Sequence, residues 1–278
     1  EVLLVTQGLQ KAGFEAYIVG GCVRDLLTGR IPKDWDVTTN ATPEEIQNIF
    51  PDTFYENKFG TVGVENKDTV EETLKVIEVT PYRLESEYSD GRHPDEVKFS
   101  KNLSDDLKRR DFTMNAIAYD PASGELVDLY DGREAIKDKM IKAVGDPSER
   151  FQEDALRILR AVRFSTQHGF AIEGVTMTAM TKHSDLLAKI SAERIRDEFV
   201  KMLGSTEPIV GIVMAQKLGI LKYIIPELEI GIGVEQNGEH IYDVWEHNLR
   251  TMQHAADKDW PLHIRLAGLL HDIAKPHT

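Results

Sequence analysis

The sequence predicts an α+β protein, with a mixed sheet-and-helix front half followed by an all-helical rear half. Three observations carry this expectation. Short apolar runs rich in valine and isoleucine, bounded by glycine, proline and charge, recur from residue 17 to about residue 130. From about Pro147 onward those runs stop, and apolar residues recur at the three- and four-residue spacing of helices. The 278 residues suffice for two domains or one large one, and no apolar run approaches the ~20 residues of a membrane span.

Taken in order, Val2, Leu3, Val5, Leu9 and Ala12 predict a helix over 2–12. Residues 17–19 read as a strand, Gly20-Gly21 as a tight turn, and 23–27 as a short helix ended near Gly29. The next strand begins at Asp36-Val37. Thr42, Pro43, Glu44 and Glu45 form a helix start, with a cap, a proline in the first turn and two acids against the dipole. Residues 60–64 and 74–79 read as two strands joined by a charged hairpin over 65–73. A long polar segment over 81–99 follows. A strand is expected over 114–119, an extended run over 126–130, and a helix over 135–143. In the rear half helices are expected over 148–167, 175–188, 191–203, 207–222, 243–257 and 261–274.

The chemistry concentrates first at the Gly-Gly turn. Glycines let the backbone approach a bulky anion, and the N–H groups of the turn would face it. Asp34 and Asp36 project to one face if their segment is extended, because side chains alternate along a strand. Two carboxylates just downstream of such a turn suit Mg²⁺-assisted phosphoryl or nucleotidyl transfer. Glu78 is either a third carboxylate near that pair or a solvated strand residue. The run Lys108-Arg109-Arg110 before Asp111 is either a grip for triphosphate or sugar, or a solvated basic patch.

Composition excludes little. Hydrophobic residues at 41% and charged residues at 29% describe an ordinary globular chain rather than a disordered one. A net charge of −14 argues against tight non-specific RNA binding. The acidity is uneven, however: residues 1–100 carry 10 basic and 19 acidic side chains, whereas 101–170 carry 12 and 13. The single Cys22 has no internal disulfide partner and reads as a packing residue. No signal-like n-region precedes the first helix, so a cytoplasmic location is expected.

Within 151–164 a helical wheel that sets Asp154 at 0° puts Arg157, Arg160 and Arg163 near 300°, 240° and 180°, at ~100° per residue. Ile158, Val162, Ala155, Leu159 and Leu156 fall between roughly 40° and 200° on the same wheel. The ridge is either a solvated basic face or a set of planar forks for phosphates and base edges. On the second reading Asp154 and Arg157 offer an acceptor and a donor pair to a Watson–Crick edge.

With these residues laid out, the chain resembles the class II tRNA nucleotidyltransferases, the CCA-adding enzymes, of the group that includes bacterial poly(A) polymerases. Four stretches carry the resemblance, in order: residues 20–25, Asp34-Trp35-Asp36, residues 109–116, and residues 153–157 with Arg160 and Arg163 beyond. It implies a head of the DNA polymerase β type over 1–139, a helical neck over 140–203 and the start of a helical body over 204–278. It implies that Asp34 and Asp36 are catalytic and hold Mg²⁺. Gly20, Gly21, Arg24, Arg110, Asp111 and Asn115 would bind the nucleotide through its phosphates and sugar. Asp154 and Arg157 would pair with incoming CTP or ATP, supported by Arg160 and Arg163. The implied partners are the tRNA 3′ end, CTP and ATP, with no membrane and no obligate protein partner. Arg83, Glu85, Tyr88, Asp90, Arg92, His93 and Pro94 resemble the family's flexible loop, whose retention favours addition of the terminal A. Poly(A) addition or A-only addition is the alternative within the class. Finally, Glu239-His240, Glu246-His247 and His271-Asp272 resemble the opening of an HD metal-dependent phosphohydrolase, without a distal aspartate before Thr278.

Overall fold

The computed structural model describes residues 1–55, 60–84, 98–236 and 241–277. It divides into two compact units, Glu1–Asp146 and Pro147–Thr278.

The first unit is built on a seven-stranded sheet. Its strands are β1 (Ala16–Val19), β2 (Asp36–Thr39), β3 (Thr53–Tyr55), β4 (Val62–Glu65) and β5 (Val76–Pro81), with β8 (Ile117–Tyr119) and β9 (Leu126–Asp128). The spatial order is β3-β4-β5-β2-β1-β8-β9. Only β2 and β5 pair in parallel; the other pairings are antiparallel. A small ribbon of β6 (Arg83–Leu84) and β7 (Lys98–Phe99) stands apart. Against one face pack α1 (Val2–Lys11) and α3 (Pro43–Ile49), burying Leu9, Ile46, Val37, Val62, Ile77 and Val79 together. Each such side chain contributes roughly 1.5–3 kcal/mol when fully buried. Strand alternation then leaves Asp36, Glu78 and Thr80 on the opposite face.

The expected start of α3 is present in full. The Thr42 hydroxyl accepts from the Glu45 N–H at 3.3 Å, and the Glu45 carboxylate accepts from the Thr42 N–H at 2.7 Å. Other expectations fail at the ends of elements. The strand expected over 114–119 begins only at Ile117, and Thr113–Asn115 is a 3₁₀ turn. The Asp111 carboxylate there accepts from the Phe112 N–H and the Asn115 amide, local bonds that compete with a strand ladder. The helix expected over 135–143 runs instead as α5 (Gly132–Lys137). The Asp128 carboxylate collects the N–H groups of Gly132 and Arg133 and starts it early, and Lys139 at φ 51° ends it. Met140 and Ile141 then form a two-residue strand. Polar α4 (Leu103–Lys108) and edge strand β3 lacked a periodic signal and were not expected.

The second unit is helical apart from a two-residue strand at Ala171–Ile172. Its helices are α6 (Pro147–Glu153), α7 (Leu156–His168), α8 (Gly174–Lys182), α9 (Ala192–Leu203), α10 (Pro208–Lys217), α11 (Pro226–Glu229), α12 (Val244–Asp257) and α13 (Leu262–Leu270). Central α7 packs on α9 and α10, and α12 packs on α10 and α13. The single helix expected over 148–167 is two helices, broken at Asp154 and Ala155. At the break the Asp154 carboxylate accepts from the Leu156 N–H at 3.1 Å, a local bond that competes with continuing α6. The helix expected over 207–222 stops at Lys217, and Gly219 at φ 67° turns the chain into a 3₁₀ segment, Leu221–Tyr223.

Candidate functional site

In the first unit the site is the join between β1 and α2 (Gly21–Leu27). Gly20 adopts φ 86°, a conformation that L side chains rarely take. A Cβ built there would stand 2.9 Å from Arg110 Nη1 and 3.4 Å from Asp36 Oδ2. The guanidinium and the carboxylate therefore both lie against the bare backbone of the turn. Arg24 Nη2 lies 3.5 Å from the corresponding position on Gly21.

Asp36 opens β2 in register with Glu78 of β5, so both carboxylates stand side by side on the face away from the core. Burial lifts the Asp36 carboxyl above the ordinary carboxylate range, Arg110 opposes the rise, and the charges of Asp34 and Asp106 add to it. Asp34 departs from the sequence expectation in its local structure. It sits exposed in a bend before β2, so strand alternation does not reach it. Its charge is nonetheless felt at Asp36. A carboxyl raised by acidic neighbours also suits a hard, oxygen-preferring divalent cation.

Two side-chain networks hold the turn. Arg24 is buried, donating Nη1 to Asn115 Oδ1 at 2.8 Å and Nε and Nη2 to Asp25 Oδ1 at 3.0 and 2.8 Å. Asn115 in turn donates to Asp111 Oδ1 at 3.1 Å. In the second network Asp106, wholly buried, accepts from Arg109 Nη2 at 2.5 Å on one oxygen and from Arg110 Nη2 at 3.0 Å on the other. Burial alone would raise the Asp106 carboxyl; Arg109 and Arg110 together hold it below its ordinary range. Thus Gly20, Gly21, Arg24, Asp36, Arg110, Asp111 and Asn115 all meet around one turn. Asp106 and Asp25 were missed. The spacing of Asp106 to Arg109 and Arg110, three and four residues along a helix, was the available signal.

In the second unit the arginine ridge is paired rather than solvated. Arg157 is buried, with Nη1 bonded to the Arg150 carbonyl at 3.1 Å and to Glu153 Oε2 at 2.6 Å. Arg163 Nε lies 2.6 Å from buried Glu198 of α9, and Arg160 Nη1 lies 3.8 Å from the same carboxylate. The Arg163 guanidinium also covers the Phe164 ring at 4.1 Å. The Asp154 carboxylate accepts from Arg194 Nη2 at 2.7 Å, while the Arg157 N–H donates to the Asp154 carbonyl at 3.1 Å. The partners Glu198 and Arg194 lie some forty residues away and had no local signal.

A further cluster closes α12 on α13. His247 Nε2 is 3.1 Å from His271 Nε2 and 3.5 Å from Asp272 Oδ2, and His271 Nε2 is 3.2 Å from the same oxygen. Among the described residues these are the one group of three or more His, Cys, Asp or Glu side chains whose ligand atoms lie close enough together to share a metal ion. The expectations on Glu85, Tyr88, Asp90, Arg92, His93, Pro94, Glu239 and His240 lie outside the described residues. Arg83 is described, in β6, where it pairs with Phe99 of β7.

The family model for the poly(A) polymerase head domain matches residues 16–142, which contain the whole turn site. A second model, described as "Probable RNA and SrmB- binding site of polymerase A", matches residues 169–230. The chain belongs to the family of CCA-adding enzymes and poly(A) polymerases. Relatives in it include the CCA-adding enzyme of Lactobacillus helveticus, 51% identical over 199 residues that cover 71% of this chain and 48% of the relative. The CCA-adding enzyme of Lactococcus lactis is 44% identical, over 81% of this chain and 56% of the relative. Among solved structures of the family, the Bacillus stearothermophilus CCA-adding enzyme in complex with CTP superposes with a TM-score of 0.74 at 40% identity, covering 83% of this chain and 55% of that one. The chain spans about half the length of the curated relatives it matches. No helix among the described residues is long and apolar enough to cross a membrane.

Proposed function

We propose that this chain carries the nucleotidyl-transfer and base-selecting parts of a cytoplasmic CCA-adding enzyme, which extends the tRNA 3′ end from CTP and ATP. The observation that carries the reading is the convergence of Arg110 and Asp36 on the glycine turn. That pairing puts a cation for phosphate beside a carboxylate for a metal, in a family whose named members add CCA. In the reaction the RNA 3′-hydroxyl forms a bond to the α-phosphorus, and the bond to the β-phosphate oxygen breaks, releasing pyrophosphate. Asp34 and Asp36 would hold Mg²⁺, which when bound would activate the hydroxyl and neutralise charge on the leaving group.

Arg110 takes phosphate charge at the turn, and the glycines give the phosphates room. The buried Arg24–Asn115–Asp111 network fixes the segment that faces the sugar. Asp154 and Arg157 supply the acceptor and donors for base selection, so protein replaces a template strand, with Arg160 and Arg163 behind them. Head, neck and body divide at 1–139, 140–203 and 204–278. The test is incubation with tRNA lacking CCA, Mg²⁺ and each nucleotide singly and together. Addition of C, C and A is expected. Long A tracts would transfer the reading to poly(A) addition, A alone to A-only addition, and no incorporation overturns it.

One observation favours a second reading for the α12–α13 cluster. Donor atoms 3.1–3.5 Å apart lie within ~0.2 Å of the ~3.3–3.6 Å edges of a tetrahedral site with metal–ligand bonds of roughly 2.0–2.2 Å. His271 Nδ1 bonds the Gly268 carbonyl at 2.9 Å, which turns Nε2 toward His247. An HD-type phosphohydrolase would release inorganic phosphate from nucleotides with a transition metal, and absence of release with such metals removes this reading.

A further inference from the structure

We propose that Asp106 is a positioning residue for nucleotide binding: its buried carboxylate holds the Arg110 guanidinium against the Gly20 turn, where the triphosphate is received. The inference rests on the reading of Arg110 given above. Asp106 has 0% exposure, and one carboxylate serves two arginines, Oδ1 to Arg109 and Oδ2 to Arg110. A pair that existed only to seal α4 would engage Arg110 through its whole fork. Instead Arg110 gives Asp106 only Nη2, at 3.0 Å. Nη1 lies over Gly20, and Nε is buried with no hydrogen-bond partner among the described residues. Of the two guanidiniums that Asp106 serves, that of Arg110 lies against the turn, where the Asp36 carboxylate also faces it.

The carboxylate is itself fixed from below. Leu107, the next residue, is wholly buried in a cluster with Val19 and Ala118. Val19 is the last residue of β1 and immediately precedes Gly20. Asp106, Arg110 and the turn therefore share one rigid support, the condition for a cation that must be in place before the anion arrives.

The experiment measures dissociation constants for CTP and CMP in the wild-type chain, Asp106→Asn, Asp106→Glu, Arg110→Ala and the double variant Asp106→Asn/Arg110→Ala. Asp106→Glu keeps the buried charge but moves it by one methylene, so it remains informative if Asp106→Asn fails to fold. Thermal unfolding of each variant reports folding. The expected result is CTP binding weakened on the order of tenfold to a hundredfold in the Asp106 variants, with CMP binding unchanged. The double variant should bind CTP no more weakly than Arg110→Ala, because Asp106 acts through Arg110. Wild-type CTP affinity in folded Asp106→Glu, equal loss of CTP and CMP, or additive losses in the double variant would each overturn the proposal. If Arg110→Ala binds CTP as wild type does, the phosphate role of Arg110 falls and this inference with it. A wild-type chain that binds no CTP instead refutes the proposed function.

Discussion

At the scale of single residues, the turn has no room for a side chain. Gly20→Ala meets two costs together, a φ of 86° and a Cβ 2.9 Å from Arg110 Nη1. The backbone term alone is about 1–3 kcal/mol for an L residue in this sparsely populated region, and displacement of Arg110 adds a loss of function beyond it. The expected outcome is a modest fall in thermal stability with a much larger fall in nucleotide incorporation; unchanged incorporation would show that the close approach is not needed. Cys22 behaves oppositely, as a residue with a reactive group and no reactivity. It is buried, donates to the Val19 carbonyl at 3.2 Å, and its thiol is pushed up to about 11 by burial and then by the Asp36 charge. Since thiolate is the reactive species, the native protein at pH 8 should react with a disulfide reagent far more slowly than the denatured protein, measured by absorbance. The sequence was legible at both positions for a stated reason. A Gly-Gly pair after a strand and a lone cysteine just beyond it each have few physical uses.

At the scale of elements, what was legible was periodicity, and what was not was pairing across distance. The cores of α1, α3, α9 and α12 follow from apolar spacing, whereas the break before α7 goes with one side-chain hydrogen bond, from Leu156 to Asp154. The wheel gave Arg163 an angle of about 180°, inside the apolar sector. Arg157, near 300°, is buried as deeply, so the angle does not set burial; the counter-charge that makes burial of Arg163 tolerable comes from α9. Glu198, 4% exposed, lies 2.6 Å from Arg163 Nε and 3.8 Å from Arg160 and Lys201. Removing one partner of such a buried pair typically costs about 3–5 kcal/mol, because the other charge is left uncompensated. Glu198→Gln should therefore destabilise the Pro147–Thr278 unit by about that amount in denaturant unfolding. A change below ~1 kcal/mol would mean that the arginines re-pair or reach water.

At the scale of the whole molecule, the proposed function assigns chemistry and choice to different units. Asp34, Asp36 and Arg110 belong to Glu1–Asp146, and the proposed base-selecting pair, Asp154 and Arg157, belongs to Pro147–Thr278. The acidic balance of −14 concentrates toward the carboxylate end of the chain, which is why composition alone pointed away from RNA while the arginine-bearing motifs pointed toward nucleotide. Such a division predicts separable losses. Asp36→Ala should abolish incorporation of both CTP and ATP onto tRNA lacking CCA, since the half-buried carboxylate nearest the turn is gone. Asp154→Ala with Arg157→Ala should keep incorporation but blur the order of C before A. A well-placed hydrogen-bonding pair contributes about 1–3 kcal/mol of base discrimination, on the order of tenfold to a hundredfold in the ratio of nucleotides incorporated. The unfolding midpoint of the double variant has to be checked beside the product sequences, because Arg157 also bonds Glu153 and the Arg150 carbonyl. A folded double variant that still adds C, C and A in order would place base selection elsewhere. Loss of all incorporation in that folded variant would mean that transfer and selection are one site rather than two.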